Sequence, residues 1–230
     1  MDRAFQGRHE IKFLLSDFAA AALSERLAGV LQRDEHADRN GEYGVRSVYF
    51  DDLADSALYD KIDGVKDREK YRIRIYNGRD DVIYLERKQK RGDIIAKQSV
   101  PLSRRAAERL LQGDLSPLCS MKSPVAKNFY AHMRSACMAP RVIVEYDREA
   151  FWHPAEHTRV TFDRRIATGM YETNLFEENF PRVTVLPPFT QVMEVKYDNY
   201  LPDIIMPLLS AVRADRMAIS KYTLCRMHEL

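Results

Sequence analysis

The segment Lys70-Tyr-Arg-Ile-Arg-Ile-Tyr76 alternates charged and apolar side chains along its length. In a β-strand successive side chains point to opposite faces, so Arg72 and Arg74 share one face while Ile73 and Ile75 share the other. A polar face that carries two guanidinium groups either meets solvent or lines an interior that binds anions. The rest of the chain bears on the choice between these two interpretations.

Charged side chains share a strand face in four further extended segments. They are Glu10 with Lys12, Glu86 with Lys88, Arg159 with Thr161 and Asp163, and Glu194 with Lys196. If these faces point into a barrel, they line a pore with many cations and a few carboxylates. Such a pore suits a polyanion held together with a divalent metal. The alternative, outward faces with ion pairs between strands in water, remains open at this stage.

Turn and capping signals predict a β-rich chain with helices between strands. The predicted strands are 10–15, 45–50, 71–76, 82–88, 94–102, 141–147, 159–163 and 191–197. Ser16-Asp17 is expected to cap a first helix, and an amphipathic helix is expected from Pro202 onward, with Val212 on its apolar stripe. We therefore expect an α+β fold, in which about eight antiparallel strands form a closed or nearly closed β-barrel with peripheral helices. Residues 1–230 are expected to form a single domain.

Composition excludes some classes of protein. Lys and Arg number 36 and Asp and Glu number 34, so the formal net charge is only +2. This excludes a general polycation and does not support a dedicated nucleic-acid partner. No apolar run reaches the ~18 residues of a membrane span. The three cysteines, Cys119, Cys137 and Cys225, predict neither a disulfide framework nor a zinc site, and a cytoplasmic location is expected.

Ten segments resemble, in order, the VTC (vacuolar transporter chaperone) domain of polyphosphate polymerases. They are Arg8–Phe13, Arg46–Asp51, Lys61–Val65, Lys70–Tyr76, Leu85–Lys88, Lys97 with Val100–Leu102, Val144–Arg148, Arg159–Asp163, Met193–Lys196 and Ser220–Tyr222. Each motif alone is weak, but ten in this order are specific. The VTC domain is one of the CYTH-like triphosphate tunnel metalloenzymes, which share an antiparallel β-tunnel, so the resemblance implies that the barrel is a triphosphate tunnel.

The resemblance also implies roles for individual residues. The catalytic cations would be Arg72, Arg74, Lys88 and Lys221. The other phosphate ligands would be Lys12, Lys97, Arg148, Arg159, Arg164 and Lys196. Glu194 would be the principal ligand of Mn²⁺ or Mg²⁺, with Glu10 and Glu86 as weaker candidates. Ser99 departs from the family pattern, because members often have a second basic residue there.

The activity that the resemblance implies is metal-assisted transfer of the terminal phosphate of ATP to a growing inorganic polyphosphate chain, with release of ADP. The resemblance also adds a separate membrane protein as a candidate partner. Two alternatives are a tunnel triphosphatase that hydrolyses inorganic or nucleoside triphosphate, and a polyphosphate-binding module without catalysis. The chain contains no GxxxxGK[ST] loop and no GxGxxG motif after a strand that would provide a different phosphate site.

Overall fold

The computed structural model describes residues 7–210 and 215–230, and one antiparallel sheet dominates them. Its eight long strands are β1 (His9–Ser16), β3 (Glu42–Asp51), β4 (Arg68–Tyr76), β5 (Arg79–Arg91), β6 (Ile94–Pro101), β7 (Ala139–His153), β8 (Thr158–Thr168) and β10 (Thr190–Tyr197). Three two-residue strands join them: β2 (Gln32–Arg33), β9 (Val183–Thr184) and β11 (Asp215–Arg216). The strand order is β11-β1-β10-β8-β7-β3-β4-β5-β6, with β2 paired to β7 and β9 to β8.

Helices lie between the strands and after them. Within the described residues they are α1 (Asp17–Ala28), α2 (Ser56–Ile62), α3 (Arg104–Leu111), α4 (Ser116–Cys119), α5 (Pro124–Ser135), α6 (Met206–Ser210) and α7 (Lys221–Glu229). The Ser16 hydroxyl caps α1 by accepting a hydrogen bond from the Ala19 amide, as its position before an Ala-rich run predicts. In the same described ranges, no helix has the length and apolar character to cross a membrane.

The sheet curls on itself without closing. Arg8, just before β1, exchanges two backbone hydrogen bonds of 2.9 and 3.0 Å with Ile95 of β6 at the opposite end of the strand order. In the part of the chain that the structure describes, this isolated bridge is the only backbone pairing between the two ends. The predicted α+β fold with eight long antiparallel strands is therefore confirmed as a curled, tunnel-like sheet, and it is not a fully closed barrel.

Packing determines which face of the sheet lies inside the curl. On the convex face, Ile73 and Leu85 pack in one apolar cluster with Phe129 of α5. Leu23 of α1 packs in another cluster with Phe162 of β8. Because helices cover these apolar faces, the charged faces of the same strands must point into the concavity. The interpretation of the charged faces as outward and solvated is thereby excluded.

The C-terminal segment departs from the predicted single helix. A short α6 is followed by β11, which pairs with β1 at Phe13, and then by a separate α7. The Met217 amide donates to the Lys12 carbonyl, so this stretch satisfies its backbone in the sheet and cannot also be helical. Val212, which was predicted on the helical stripe, lies outside the described residues. α7 instead enters the concavity, where Tyr222 and Cys225 pack with apolar side chains of the inner face.

Candidate active site

The concave face and the segment leading into α7 enclose a cavity of about 550 Å³. Nine of the thirteen predicted site residues line this cavity. They are Glu10, Lys12, Arg72, Arg74, Lys88, Arg148, Glu194, Lys196 and Lys221. They come from five strands and one helix, so the fold brings together residues that are far apart in the sequence.

Strand register explains why carboxylates and ammonium groups meet inside. Between β1 and β10, Lys12 lies opposite Glu194 and Glu10 lies opposite Lys196. Side chains that are directly opposite in an antiparallel pair share a face and lie close together. Each carboxylate of this strand pair therefore has an ammonium group from the other strand beside it.

Glu194 is the most heavily paired carboxylate of the cavity. Its oxygens lie 2.6 Å from Lys221 Nζ, 3.0 Å from Lys196 Nζ and 3.3 Å from Lys12 Nζ. Burial alone would raise the pKa of Glu194, but Lys12, Lys196 and the neighbouring cations lower it well below its usual value. The side chain is therefore an ionised carboxylate at neutral pH.

Asp163 is a second buried carboxylate at this point, and it was not among the predicted site residues. Arg148 binds it through two hydrogen bonds of 2.7 and 2.9 Å, and Lys221 Nζ lies 2.5 Å from Oδ2. Burial would raise the pKa of Asp163, but Arg148 and Lys221 lower it. A sequence signal for Asp163 as a site residue did exist. The two-residue alternation from Arg159 through Thr161 places Asp163 on the same strand face as those two residues.

Arg72 and Arg74 are fixed by hydrogen bonds before any ligand binds. Arg72 donates to Glu86 Oε2 at 2.7 Å and to the Tyr49 hydroxyl at 2.6 Å. Arg74 donates to Ser47 Oγ and to the Tyr146 hydroxyl, both at 3.0 Å. Because both guanidinium groups line the cavity and are already oriented, little side-chain entropy is lost when they bind an anion.

Two predicted residues are engaged beside the cavity and do not line it. Glu86 is 1% exposed and its carboxylate is shared by Arg72 and by Lys97, whose Nζ lies 2.8 Å away. The Lys97 side chain is half exposed beyond the Glu86 carboxylate. Glu86 is therefore a partner that orients Arg72, and the structure does not bring it to the cavity as a metal ligand.

The remaining two predicted residues lie elsewhere. Arg159 has the expected facing but forms an ion pair with Asp34 and a 2.9 Å hydrogen bond to the Tyr43 hydroxyl, away from the cavity. Arg164 pairs with Glu149 and does not line the cavity. Its placement as a phosphate ligand is corrected, because β8 continues to Thr168 and the alternation that turns Asp163 inward turns Arg164 outward.

The cavity has a carboxylate that fits a divalent metal shared with phosphate. Among the described residues, no group of three or more His, Cys, Asp or Glu side chains is arranged to hold a metal by itself. Mg²⁺ is commonly held by only one or two carboxylates together with phosphate oxygens. Glu194 lines the cavity as an ionised carboxylate, whereas Asp163 is fully buried behind it, does not line the cavity and lies against the same ammonium group of Lys221. Hard oxygen donors of this kind suit Mg²⁺ or Mn²⁺.

Comparison with known proteins identifies the family of the chain and a solved structure with a similar fold. The model of the VTC domain matches residues 7–228. HpAC1 from Hippeastrum, a proposed adenylyl cyclase described as having a dominant triphosphatase activity, superposes with a TM-score of 0.58 at 14% identity, over 97% of each chain. A proposed adenylate cyclase from Bacillus halodurans is 12% identical over 90% of this chain and 87% of its own, with a TM-score of 0.48. No curated protein sequence matches.

Proposed function

Because the chain belongs to the VTC-domain family, we propose that it is a polyphosphate polymerase. It would transfer the terminal phosphate of ATP to the end of an inorganic polyphosphate chain and release ADP. The observation that supports this proposal most strongly is the cavity itself, in which cations from facing walls surround a small number of ionised carboxylates.

The cations address the main barrier of this reaction. Donor and acceptor are both polyanions, so bringing them together requires compensation of their repulsion. Arg72 and Arg74 on β4 face Lys12 and Lys196 on β1 and β10 across the cavity. Guanidinium groups bind phosphate oxygens in pairs, and ammonium groups add point charges. Together they would hold donor and acceptor in line and stabilise the charge that spreads over the transferred phosphate.

The transfer step requires no general base from the protein. A terminal oxygen of the acceptor chain is anionic at pH 7, and it attacks the γ-phosphorus of ATP. The new bond joins that oxygen to phosphorus, while the bond from phosphorus to the β–γ bridging oxygen breaks. ADP leaves with the bridging oxygen and its electron pair. Lys221, whose ammonium group is fixed between Asp163 and Glu194, keeps a positive charge beside the reacting groups.

Glu194 is the residue that we propose to hold the metal, and the buried Asp163 behind it positions Arg148 and Lys221. When bound, Mn²⁺ or Mg²⁺ would neutralise charge on the phosphate oxygens that it contacts. Glu10 has a supporting role, because Lys88 Nζ lies 2.9 Å from both of its oxygens and Lys12 Nζ lies 3.2 Å from one of them. Glu10 therefore positions two phosphate-binding ammonium groups at one wall of the cavity.

The proposal is tested by the products formed from ATP. The purified chain is incubated with ATP and Mn²⁺ or Mg²⁺, and ADP, free phosphate and polymer are measured in parallel. ADP matched by a polymer ladder, with little free phosphate, is the expected result. Free phosphate without polymer would instead identify a triphosphatase in which water replaces the acceptor chain. Binding of polyphosphate with neither product would identify a binding module.

A further inference from the structure

Two aromatic rings are stacked at the end of the strand pair formed by β1 and β10. His9 is the first residue of β1, Tyr197 is the last residue of β10, and the two lie directly opposite each other. Their ring centroids are 5.3 Å apart and the ring planes differ by 23°. Regular alternation would turn both side chains away from the concave face, but at these strand ends both residues line the cavity. The ring pair is therefore part of the cavity wall.

The ring pair lies toward the open end of the cavity. Along β10 the exposed fraction of the side chain rises from 6% at Glu194 to 21% at Lys196, the residue before Tyr197. In the other direction, Tyr222 of α7 packs in the same apolar cluster as Val192. Glu194 and Tyr197 are three residues apart, which is about 10 Å at ~3.4 Å per residue. A triphosphate that lies along β10 with its terminal phosphate near Glu194 therefore brings its other end to the rings.

Tyr197 supports one face of the His9 ring and leaves the other face open. Tyr197 packs against the apolar cluster that contains Leu23 and Phe162, so the core holds it in place. His9 is only partly buried. Within residues 7–210 and 215–230, the His9 side chain has no hydrogen bond or ion pair, and its ring contact is the one with Tyr197. A ring that is supported on one face and has no polar partner can offer its other face to a planar ligand.

A planar ring at the open end of a triphosphate site suits a nucleobase. Aromatic side chains bind bases by stacking, and this contact tolerates different bases because every base has a π-face. Ile95 adds an apolar surface nearby, since it lines the cavity and its backbone pairs with Arg8, the residue before His9. The cations of the cavity account for phosphate binding, but His9, Tyr197 and Ile95 provide the surface that suits an uncharged, flat group.

We propose that His9, supported by Tyr197, binds the nucleobase of the phosphate donor by stacking. This inference rests on the proposed function and specifies which part of the donor the protein recognises besides its phosphates. The donor enters the cavity with its terminal phosphate first and leaves its base at the ring pair. Stacking thereby distinguishes the donor from the inorganic polyphosphate acceptor, which has the same phosphate groups but no base.

The test uses three ligands that differ outside the triphosphate. They are ATP, ribose 5-triphosphate, which is ATP without its base, and inorganic triphosphate. Their binding to the full chain is measured by calorimetry in EDTA, so that metal-assisted transfer does not take place. The variants are His9→Leu, which removes the ring, and His9→Phe, which keeps an aromatic ring without the imidazole nitrogens.

Two control proteins accompany these variants. Tyr200→Leu removes an aromatic ring that is 62% exposed and does not line the cavity. Lys122→Ala with Lys127→Ala removes positive charge from exposed positions that do not line the cavity, and it shows how far anion binding depends on net charge alone. Thermal unfolding of each protein without ligand shows whether it is folded.

We expect the wild-type protein to bind ATP about tenfold more tightly than ribose 5-triphosphate. His9→Leu should lose about tenfold in affinity for ATP and less than about threefold for the two ligands without a base. His9→Phe should stay within about threefold of the wild type for all three ligands, because it can still stack. Neither control protein should change the ratio of the ATP affinity to the ribose 5-triphosphate affinity.

Three results would overturn the inference, and they differ in what they say about the proposed function. If the wild type binds inorganic triphosphate but binds ATP no better than ribose 5-triphosphate, there is no base site and the proposed function stands. If His9→Leu and His9→Phe both lose affinity equally for all three ligands, His9 contacts phosphate and does not stack on a base, and the proposed function again stands. If the wild type does not bind inorganic triphosphate at all, the proposed function fails as well.

Discussion

Lys221 Nζ lies 2.6 Å from Glu194 Oε1, which joins the first residue of the C-terminal helix α7 to the interior strand β10 of the sheet. The same ammonium group lies 2.5 Å from Asp163 on the neighbouring strand. Burial would lower the pKa of Lys221, but Asp163 and Glu194 raise it far above its usual range. Lys221 is therefore a permanent positive charge whose position depends on two buried carboxylates.

Replacing Lys221 with Met should affect both activity and stability. The change leaves Asp163 and Glu194 with one fewer cation in a buried site, and breaking a buried ion pair costs about 3–5 kcal/mol. We expect turnover to fall by about 100-fold or more, together with a lower midpoint of urea unfolding. Lys221→Arg keeps the charge and is the control for stability. If Lys221→Met retained wild-type turnover, Lys221 would have no role in catalysis.

Glu194→Gln should separate metal activation from phosphate binding. The amide is a weaker metal ligand than the carboxylate, so we expect turnover to fall by about 100-fold and the Mn²⁺ concentration for half-maximal activity to rise. Triphosphate binding measured in EDTA should not weaken, because a negative charge has been removed from among four cations. Weaker binding in EDTA together with an unchanged Mn²⁺ requirement would show that Glu194 serves phosphate binding and not the metal.

Replacing Tyr222 with Phe tests whether the hydrogen bond from Tyr222 to Asp51 fixes the position of α7. The Tyr222 hydroxyl donates to Asp51, whose carboxylate also accepts from the Ala57 and Leu58 amides at the start of α2. A hydrogen bond to a charged group contributes about 1.5–3 kcal/mol. We expect the free energy of unfolding to decrease by about this amount. Because Lys221 precedes Tyr222, kcat should fall more than KM rises, and an unchanged kcat would show that Tyr222 does not position Lys221.

The affinity for triphosphate should depend on pH through Lys88. Burial lowers the pKa of Lys88 to about 8, and Glu10 opposes this only in part. Below pH 8 the ammonium form binds phosphate, while above pH 8 the free protein loses that proton. Affinity should therefore decrease as pH rises above 8, by at most about tenfold per pH unit from this group. Lys88→Arg keeps its charge, so its affinity should be nearly constant from pH 7.5 to 9.

The stability of the ligand-free protein should change with pH in the direction opposite to the triphosphate affinity. Through Lys88, the free energy of unfolding should increase as the pH rises. An unfolded lysine titrates near 10.5, so between pH 8 and 10.5 the unfolded chain binds more protons at this position than the folded chain. The contribution of Lys88 to the free energy of unfolding must then increase with pH in that window. Urea unfolding of wild type and Lys88→Arg across the window gives this contribution by difference. A contribution of the opposite sign would mean that folding does not lower the pKa of Lys88.

The sequence was sufficient for the faces of the strands and for nine of the residues that line the cavity, but it did not single out other lining cations such as Lys61 and Lys70. Two-residue alternation predicted that Arg72 and Arg74 share one strand face. It predicted the same for Glu10 and Lys12. These predictions rest on local geometry, which a strand fixes without reference to the rest of the chain. The spread of ten family-like motifs over the chain then indicated how the faces come together.

The sequence was insufficient where the outcome depends on register or on where a strand ends. Arg164 turned outward because β8 continues past the predicted end at residue 163. Glu86 had the expected facing, but the register with β4 places it opposite Arg72, which takes its carboxylate. Arg159 is held by Asp34, a residue 125 positions away in the sequence. Contacts of this kind are set by tertiary pairing and have no local signal.

Whether phosphate transfer takes place in the cavity is tested most directly by a variant with Arg72→Ala, Arg74→Ala and Lys221→Ala together. Its ADP release and polymer synthesis from ATP and Mn²⁺ are compared with those of wild type and of the Lys122→Ala, Lys127→Ala protein, after circular dichroism has shown that the sheet is intact. We predict that the triple variant forms neither product above background, while the control remains fully active. Polymer synthesis by a folded triple variant at the wild-type rate would contradict the assignment of the cavity as the active site.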